Sequence, residues 1–389
     1  VQIIEGIARN YDWGSPTAIP EILGRPPTGE PVAELWLGAH PSAPSVLRPD
    51  DTPLDRVVAR DPVAALGADP AQAFGRLPFL LKILAASAPL SLQAHPSAAQ
   101  AEAGFALEEA AGIPVDAPER SFRDRSHKPE LICALTEFDA LCGFRPPEAT
   151  IAVFESIGTP RLVGIAERLR ADGSPAGIAR VLEGVLTLDD AGASALVGPV
   201  VEACSEAPDD GDDAALERAL VLDLARRHPG DAGVVIALML NRVTLQPNDA
   251  LFLGAGNLHM YLDGVGIEVM ANSDNVLRGG LTTKPVDVAS LIEVVDPSPI
   301  TPEIQRPALV DGIATYASPV PEFSLQRIEL DGTAVLDGGP AIVLCLDGRV
   351  EGPDLVLDRG GAAWMPAADG PVALHGAATL YRAGLGRLA

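Results

Sequence analysis

Apolar positions in the first 95 residues come in short runs, Val1 to Ile7, Ala33 to Leu37, Phe79 to Leu84 and Leu90 to Ala94, separated by Gly- and Pro-rich stretches. That pattern predicts an all-β region with many turns. The period changes at SAAQAEAGFALEEAAGIP: Ser97 with Gln100 makes a capping box, and Gly112 before Pro114 supplies a stop, so a helix is predicted over about 98–111. From Pro146 to Pro229 the chain is alanine-rich with helical periodicity, broken at Gly158, Gly173, Asp189-Asp190 and the acidic run PDDGDD at 208–213, which reads as a solvated linker. Strand-like runs return at Val234. Asp263-Gly264 invites a hairpin turn, and DPSPITPEI at 296–304 reads as a linker. Beyond it, Asp331-Gly332, Asp337-Gly338, Asp347-Gly348 and Asp369-Gly370 punctuate short apolar runs, as in a second β-barrel or jelly roll. The expected class is mainly β with an α insertion, in three units: 1–145 with 234–300, an inserted helical unit at 146–233, and a C-terminal unit at 301–389.

The 389 residues are 47% hydrophobic and 21% charged, enough to bury a full-sized core. A formal charge of −25 repels a phosphate backbone, which argues against nucleic acid. It also means that an anionic small substrate would need a locally positive pocket. No apolar run reaches the roughly 20 residues of a membrane span, and the N-terminal VQIIEGIARNYDWG lacks the basic and apolar regions of a secretory signal. Cys133, Cys142, Cys204 and Cys345 form no CxxC pair and read as reduced core residues of a cytoplasmic protein. Only three of the 28 basic residues are lysines, Lys82, Lys128 and Lys284. Arginine serves almost everywhere a generic cation would do, so these three mark places that need a compact ammonium.

Three segments carry candidate chemistry. In SLQAHP, Gln93 and His95 lie two apart in a predicted strand and leave the same face, so both can share one metal. DRSHKPE bunches His127, Lys128 and Glu130 ahead of an apolar strand. In GNLHMYLDGVGIEVMANSDNVLRGGLTTK, a two-residue turn at Asp263-Gly264 would set His259 directly across from Glu268, their β-carbons about 5 Å apart. Arg278 and Lys284 follow as cations suited to an anionic substrate. Nitrogen and oxygen ligands from Gln93, His95, His259 and one glutamate suit Zn²⁺ with an open position, and Mn²⁺, Fe²⁺ or Co²⁺ use the same ligand types. Spacing alone leaves Glu130 and Glu268 equal as the carboxylate ligand.

The blocks AELWLGAHPSAPS, LPFLLKILAASAPLSLQAHP, HKPELICALTEFDALCGFRP and GNLHMYLDGVGIEVMANSDNVLRGGLTTK resemble the type I phosphomannose isomerases over about residues 7–145 and 241–295. The resemblance implies a cupin-type catalytic unit with a helical insertion and a second jelly roll. It implies one zinc per chain on Gln93, His95, Glu130 and His259, and an active-site arginine at Arg278. The implied reaction interconverts mannose 6-phosphate and fructose 6-phosphate through a cis-enediol. Glu268, Lys128 and Lys284 are the candidates for proton transfer, His127 for ring opening, and Lys82 with Ser91 for the phosphate. Ser126 and Gly279 replace the family's usual Asn and Ala. Tyr11-Asp12-Trp13-Gly14 fits the family's opening and reads physically as a turn packed by aromatics. The alternatives are a non-catalytic cupin that senses a phosphorylated sugar and a cupin oxygenase, whose usual ligand set gives Gln93 no role. A monomer is compatible with everything read so far, and the expected partner is a small phosphosugar.

Overall fold

The computed structural model describes residues 1–207 and 214–387; the acidic run at 208–213 lies outside them. Two antiparallel sheets of eleven and nine strands dominate, with helices gathered mainly between the strands Phe138–Phe144 and Leu240–Leu245. Among the described residues, no single helix is long and apolar enough to cross a membrane.

The eleven-stranded sheet is held together by one strand. His259–Ala271 runs unbroken for thirteen residues: its first half pairs with Phe138–Phe144 and with Gln93, its second half with Phe79–Ala86 and Glu130–Ala134. The handover falls at Asp263-Gly264, directly after a register shift between Tyr261 and Asp263. No hairpin forms there, which corrects the turn expected from the sequence. Gly264 has φ +126°, and a Cβ on it would lie 2.8 Å from the Glu137 carbonyl oxygen and the Phe138 Cα. The dipeptide therefore marks a bulge that re-aims a strand rather than reversing it. The same correction applies to Asp331-Gly332 and Asp347-Gly348, which lie inside the strands Ser324–Leu336 and Ala341–Gly352.

Strand alternation sorts the side chains of this folded sheet into layers. Leu81, Ile83, Leu131, Cys133, Ile267 and Val269 face outward and pack on Tyr316, Ile342, Trp364 and Tyr381 of the nine-stranded sheet. Their neighbours Leu84, Ile132, Ala134, Leu251 and Leu253 face inward with Ala140, Cys142, Val243 and Tyr261 from the other half. On that other half, Leu92, Ala94, Leu141, Met260 and Leu277 face outward and are covered by the helices Pro147–Ile157, Pro160–Ala171, Pro175–Leu186, Asp190–Glu206 and Ala215–Arg227. The catalytic candidates are thus enclosed by a two-walled jelly roll whose outer faces are both occupied.

Two further departures concern the N-terminal region. It is not all β: Leu54–Arg60, Pro62–Leu66 and Ala68–Phe74 are helices of five to seven residues, too short to display a 3.6-residue period. Their starts are nonetheless written locally, as where Asp61 accepts the Ala64 N–H ahead of Pro62. In addition, Gln2–Glu5, Val46–Leu47 and Thr52–Pro53 belong to the nine-stranded sheet, Gln2–Glu5 pairing with Ala362–Met365. The helix expected near 98–111 spans Ala98–Ala110 and carries the Ser97/Gln100 capping box. Tyr11 and Trp13 stack at 5.7 Å over a turn closed by the Gly14 N–H.

Candidate metal centre and active-site cleft

On the inner face, His95, Glu130 and His259 converge with at most 2% exposure each. His95 Nε2 lies 3.2 Å from Glu130 Oε1, and His259 Nε2 lies 3.5 Å from Glu130 Oε2. Each imidazole is oriented from behind: Nδ1 of His95 is 2.7 Å from the Asn275 carbonyl oxygen, and Nδ1 of His259 is 3.0 Å from that of Asn257. A carbonyl only accepts, so both Nδ1 atoms carry the proton and both Nε2 atoms present lone pairs to the shared space. Neither Nε2 nor Glu130 Oε2 has a hydrogen-bond partner, although all three are buried. Orphaned polar atoms at such depth are costly unless a ligand completes them, and two imidazole nitrogens with a carboxylate are a divalent-metal donor set. Burial pushes His95 down to about 4 against the pull of Glu130, keeping it neutral as a ligand must be. Burial opposes the charge on Glu130, but the polar groups around it, the Lys128 ammonium among them, hold that carboxyl well below the usual range.

Gln93 is in register with His259 on one side and Arg278 on the other. Residues directly opposite share a face, so Arg278, Gln93 and His259 form one inward row beside the cluster. Lys128 reaches the same space, its Nζ 3.5 Å from Glu130 Oε1. Glu268 stands one strand from Glu130, on the same inner face. It accepts from Lys82 Nζ at 2.8 Å and from the Tyr261 hydroxyl at 3.1 Å. Burial raises the Glu268 pKa; Lys82 opposes the rise, and Glu130 and Glu34 add to it.

Two expected site residues fall elsewhere. His127 precedes Lys128 and takes the opposite side of the chain, where Nε2 meets Glu322 Oε1 at 2.7 Å, next to the nine-stranded sheet. The geometry does not bring it to the metal cluster. Lys82, expected at the phosphate, is 5% exposed and clamped between Glu268 and Glu34 Oε1 at 3.1 Å. Its charge is already matched by two carboxylates, whose field would repel a phosphate. Ser91 is partly exposed two residues before Gln93.

Sequence reasoning missed the outer cleft, a space of about 370 Å³ lined by His40, Arg76, Arg123, Asp124, Asn272 and Asp274 among others. Arg123 is close enough to Arg278 and Lys284 to help lower the pKa of both, after desolvation. These three cations converge without an ion-pair partner among the described residues, giving the local positive field that a chain of −25 needs for an anionic substrate. The signal available for Arg123 was its place immediately before DRSHKPE, the segment singled out from the sequence.

The family model "Phosphomannose isomerase type I, catalytic domain" matches residues 1–147. The mannose-6-phosphate isomerase of Salmonella typhimurium is 36% identical over 386 residues, covering 96% of this chain and 97% of that one. The chain belongs to the type I phosphomannose isomerase family. The Rattus norvegicus mannose-6-phosphate isomerase is 31% identical over 93% of this chain and 92% of its own. A zinc-bound crystal structure of mannose 6-phosphate isomerase superposes with a TM-score of 0.90 at 32% identity, covering 99% of each chain, as does the apo form from Salmonella typhimurium. Family membership agrees with the ligand set that the orphaned atoms define.

Proposed function

We propose that this protein is a zinc-dependent isomerase interconverting mannose 6-phosphate and fructose 6-phosphate, acting in the cytoplasm. Four buried free cysteines support a reducing compartment. The observation that carries the functional reading is the set of three buried, unpartnered ligand atoms beside the row His259, Gln93 and Arg278, the last of these near two further cations without an ion-pair partner among the described residues. His95, Glu130 and His259 would hold the metal, with Gln93 as the fourth ligand from the adjoining register position. When bound, zinc would act as a Lewis acid toward the sugar's oxygens and leave an open position for them.

The phosphate belongs at Arg123, Arg278 and Lys284, which replaces the expectation for Lys82. That anchors the far end of the sugar and directs its carbonyl end toward the metal centre. Aldose–ketose exchange removes a proton from one of two adjacent carbons and returns it to the other through a cis-enediol. We assign that transfer to Glu268: its raised pKa brings it toward neutral pH, where a proton carrier is most effective, and it shares the inner face with Glu130. Lys82 and Tyr261 hold both of its oxygens in place. Lys128, beside Glu130, supplies positive charge where the enediol develops its negative charge.

The test is isomerisation of mannose 6-phosphate by purified protein, before and after chelation and with zinc restored. Metal-dependent turnover supports the reading, and Glu268→Gln should then lower kcat by about 10²–10⁴-fold with zinc content retained. Absence of turnover by folded, zinc-loaded protein overturns it in favour of a phosphosugar sensor.

A further inference from the structure

His40 is 3% exposed at the end of the strand Glu34–Gly38, in a turn closed by the Ala43 N–H on the His40 carbonyl. Its tautomer is fixed by a neighbour. The Ser42 backbone N–H, which can only donate, lies 3.2 Å from His40 Nδ1, and the Ser42 hydroxyl lies 2.9 Å from the same atom. Nδ1 is therefore an acceptor and the neutral ring carries its proton on Nε2. That Nε2 is 3.4 Å from Asp274 Oδ1, the ring itself being held edge-on to Trp36 with centroids 4.8 Å apart. Asp274 is different in kind: its side chain is 49% exposed and lines the outer cleft with Arg123 and Asn272. Its backbone is pinned by Asp124, which accepts the Asp274 N–H at 2.7 Å, and it directly precedes Asn275, whose carbonyl orients His95.

We infer that His40 is a positioning residue: its Nε2–H holds the Asp274 carboxylate in the cleft, aimed at a hydroxyl of the bound sugar. This rests on the isomerase reading, in which the cleft receives the substrate. A buried, tautomer-locked donor behind a half-exposed carboxylate fixes a side chain that would otherwise sample several rotamers, and a fixed acceptor orients a hydroxyl better than a mobile one. The Ser42–His40–Asp274 chain contains no metal ligand and touches none, so it is a separate support for the cleft's outer rim.

The experiment compares zinc-loaded wild type with His40→Ala, His40→Gln, Asp274→Asn and the His40→Ala/Asp274→Asn double variant, reading kcat and KM for mannose 6-phosphate. His40→Ala should lower kcat/KM about tenfold, and His40→Gln, whose amide can place a donor where Nε2 stood, should recover to within about threefold. In the Asp274→Asn background the alanine change should cost less than about twofold more, because residues acting through one contact are not additive. Equal losses for alanine and glutamine, or losses that multiply in the double variant, would overturn the inference. Nitrogen-15 NMR of the histidines in the wild type should show His40 as the Nε2–H tautomer, with its signal moved by Asp274→Asn. The Nδ1–H tautomer overturns the inference whether or not the protein turns over, whereas the expected tautomer in a protein that does not isomerise refutes the functional reading alone.

Discussion

Replacing Lys82 with methionine keeps most of the side-chain volume but removes the ammonium from between Glu268 and Glu34, 2.8 and 3.1 Å away. Removing one partner of a buried ion pair costs about 3–5 kcal/mol, because the remaining charge is left unmatched at depth. For 389 residues unfolding together, about 2.1 cal/mol/K per residue gives an unfolding entropy of about 0.8 kcal/mol/K, so Tm should fall by about 4–6 °C. The loss should also depend on pH. In the wild type Lys82 is held above its ordinary pKa: burial works against its charge, but Glu268, Glu34 and Glu130 prevail. It stays charged from pH 6 to 8 and contributes no slope there. Glu268 lies above its unfolded value even with Lys82 present, and losing the cation raises it further. A carboxyl with a raised folded pKa costs stability above that pKa, and the cost is relieved as pH falls through it. The Tm deficit of Lys82→Met should therefore shrink as pH is lowered from 8 toward the ordinary carboxylate range, read by thermal unfolding across a pH series with zinc present throughout. Adding Glu268→Gln should recover part of it. A deficit below about 1 °C, or one that does not change across the series, would refute this account of the charge network.

Arg278→Ala and Lys284→Ala should each raise KM for mannose 6-phosphate by about 10–100-fold, or about 1.4–2.8 kcal/mol. The corresponding loss for unphosphorylated mannose should be much smaller, and steady-state kinetics on both sugars would expose equal losses, which contradict phosphate contact. His127→Ala should leave kcat within about threefold, since a histidine paired with Glu322 outside the cluster is not in the proton path. A loss of a hundredfold would return it to the active site. Gly264→Ala should cost about 3 kcal/mol or more, combining a positive φ with a Cβ 2.8 Å from backbone atoms, whereas Gly332→Ala, at φ +106° with open space, should cost about 1–2 kcal/mol. Equal denaturation midpoints for the two would contradict the close approach.

Part of the candidate metal centre was legible because its chemistry is local: two residues of alternation put Gln93 and His95 on one face, and in the fold Gln93 stands in register with His259 while His95 meets Glu130 and His259. His127 was not placed by spacing, since in the irregular segment before Glu130 it meets Glu322 while Lys128, one step on, reaches Glu130. The Asp-Gly pairs misled because the dipeptide encodes only a permissive backbone. Whether that backbone becomes a turn or a bulge is decided by strands far away in sequence, such as Phe138–Phe144 against Asp263-Gly264. Lys82 shows the same limit. It was correctly singled out as a lysine in need of a reason, but the carboxylates that supply the reason come from Glu34, 48 residues earlier, and Glu268 on a neighbouring strand.

The pairing of Gln2–Glu5 with Ala362–Met365 sets an order of events for assembly. The strand Gln2–Glu5 finds this partner only after the residues up to Ala362–Met365 have followed it. Loop closure on that scale is slow and comes late. Until then the outward faces of Phe79–Ala86, Glu130–Ala134 and His259–Ala271 have no nine-stranded sheet to cover them. Covering those faces therefore depends on residues supplied from both ends of the described chain, and a chain lacking the nine-stranded sheet would present one apolar wall to solvent.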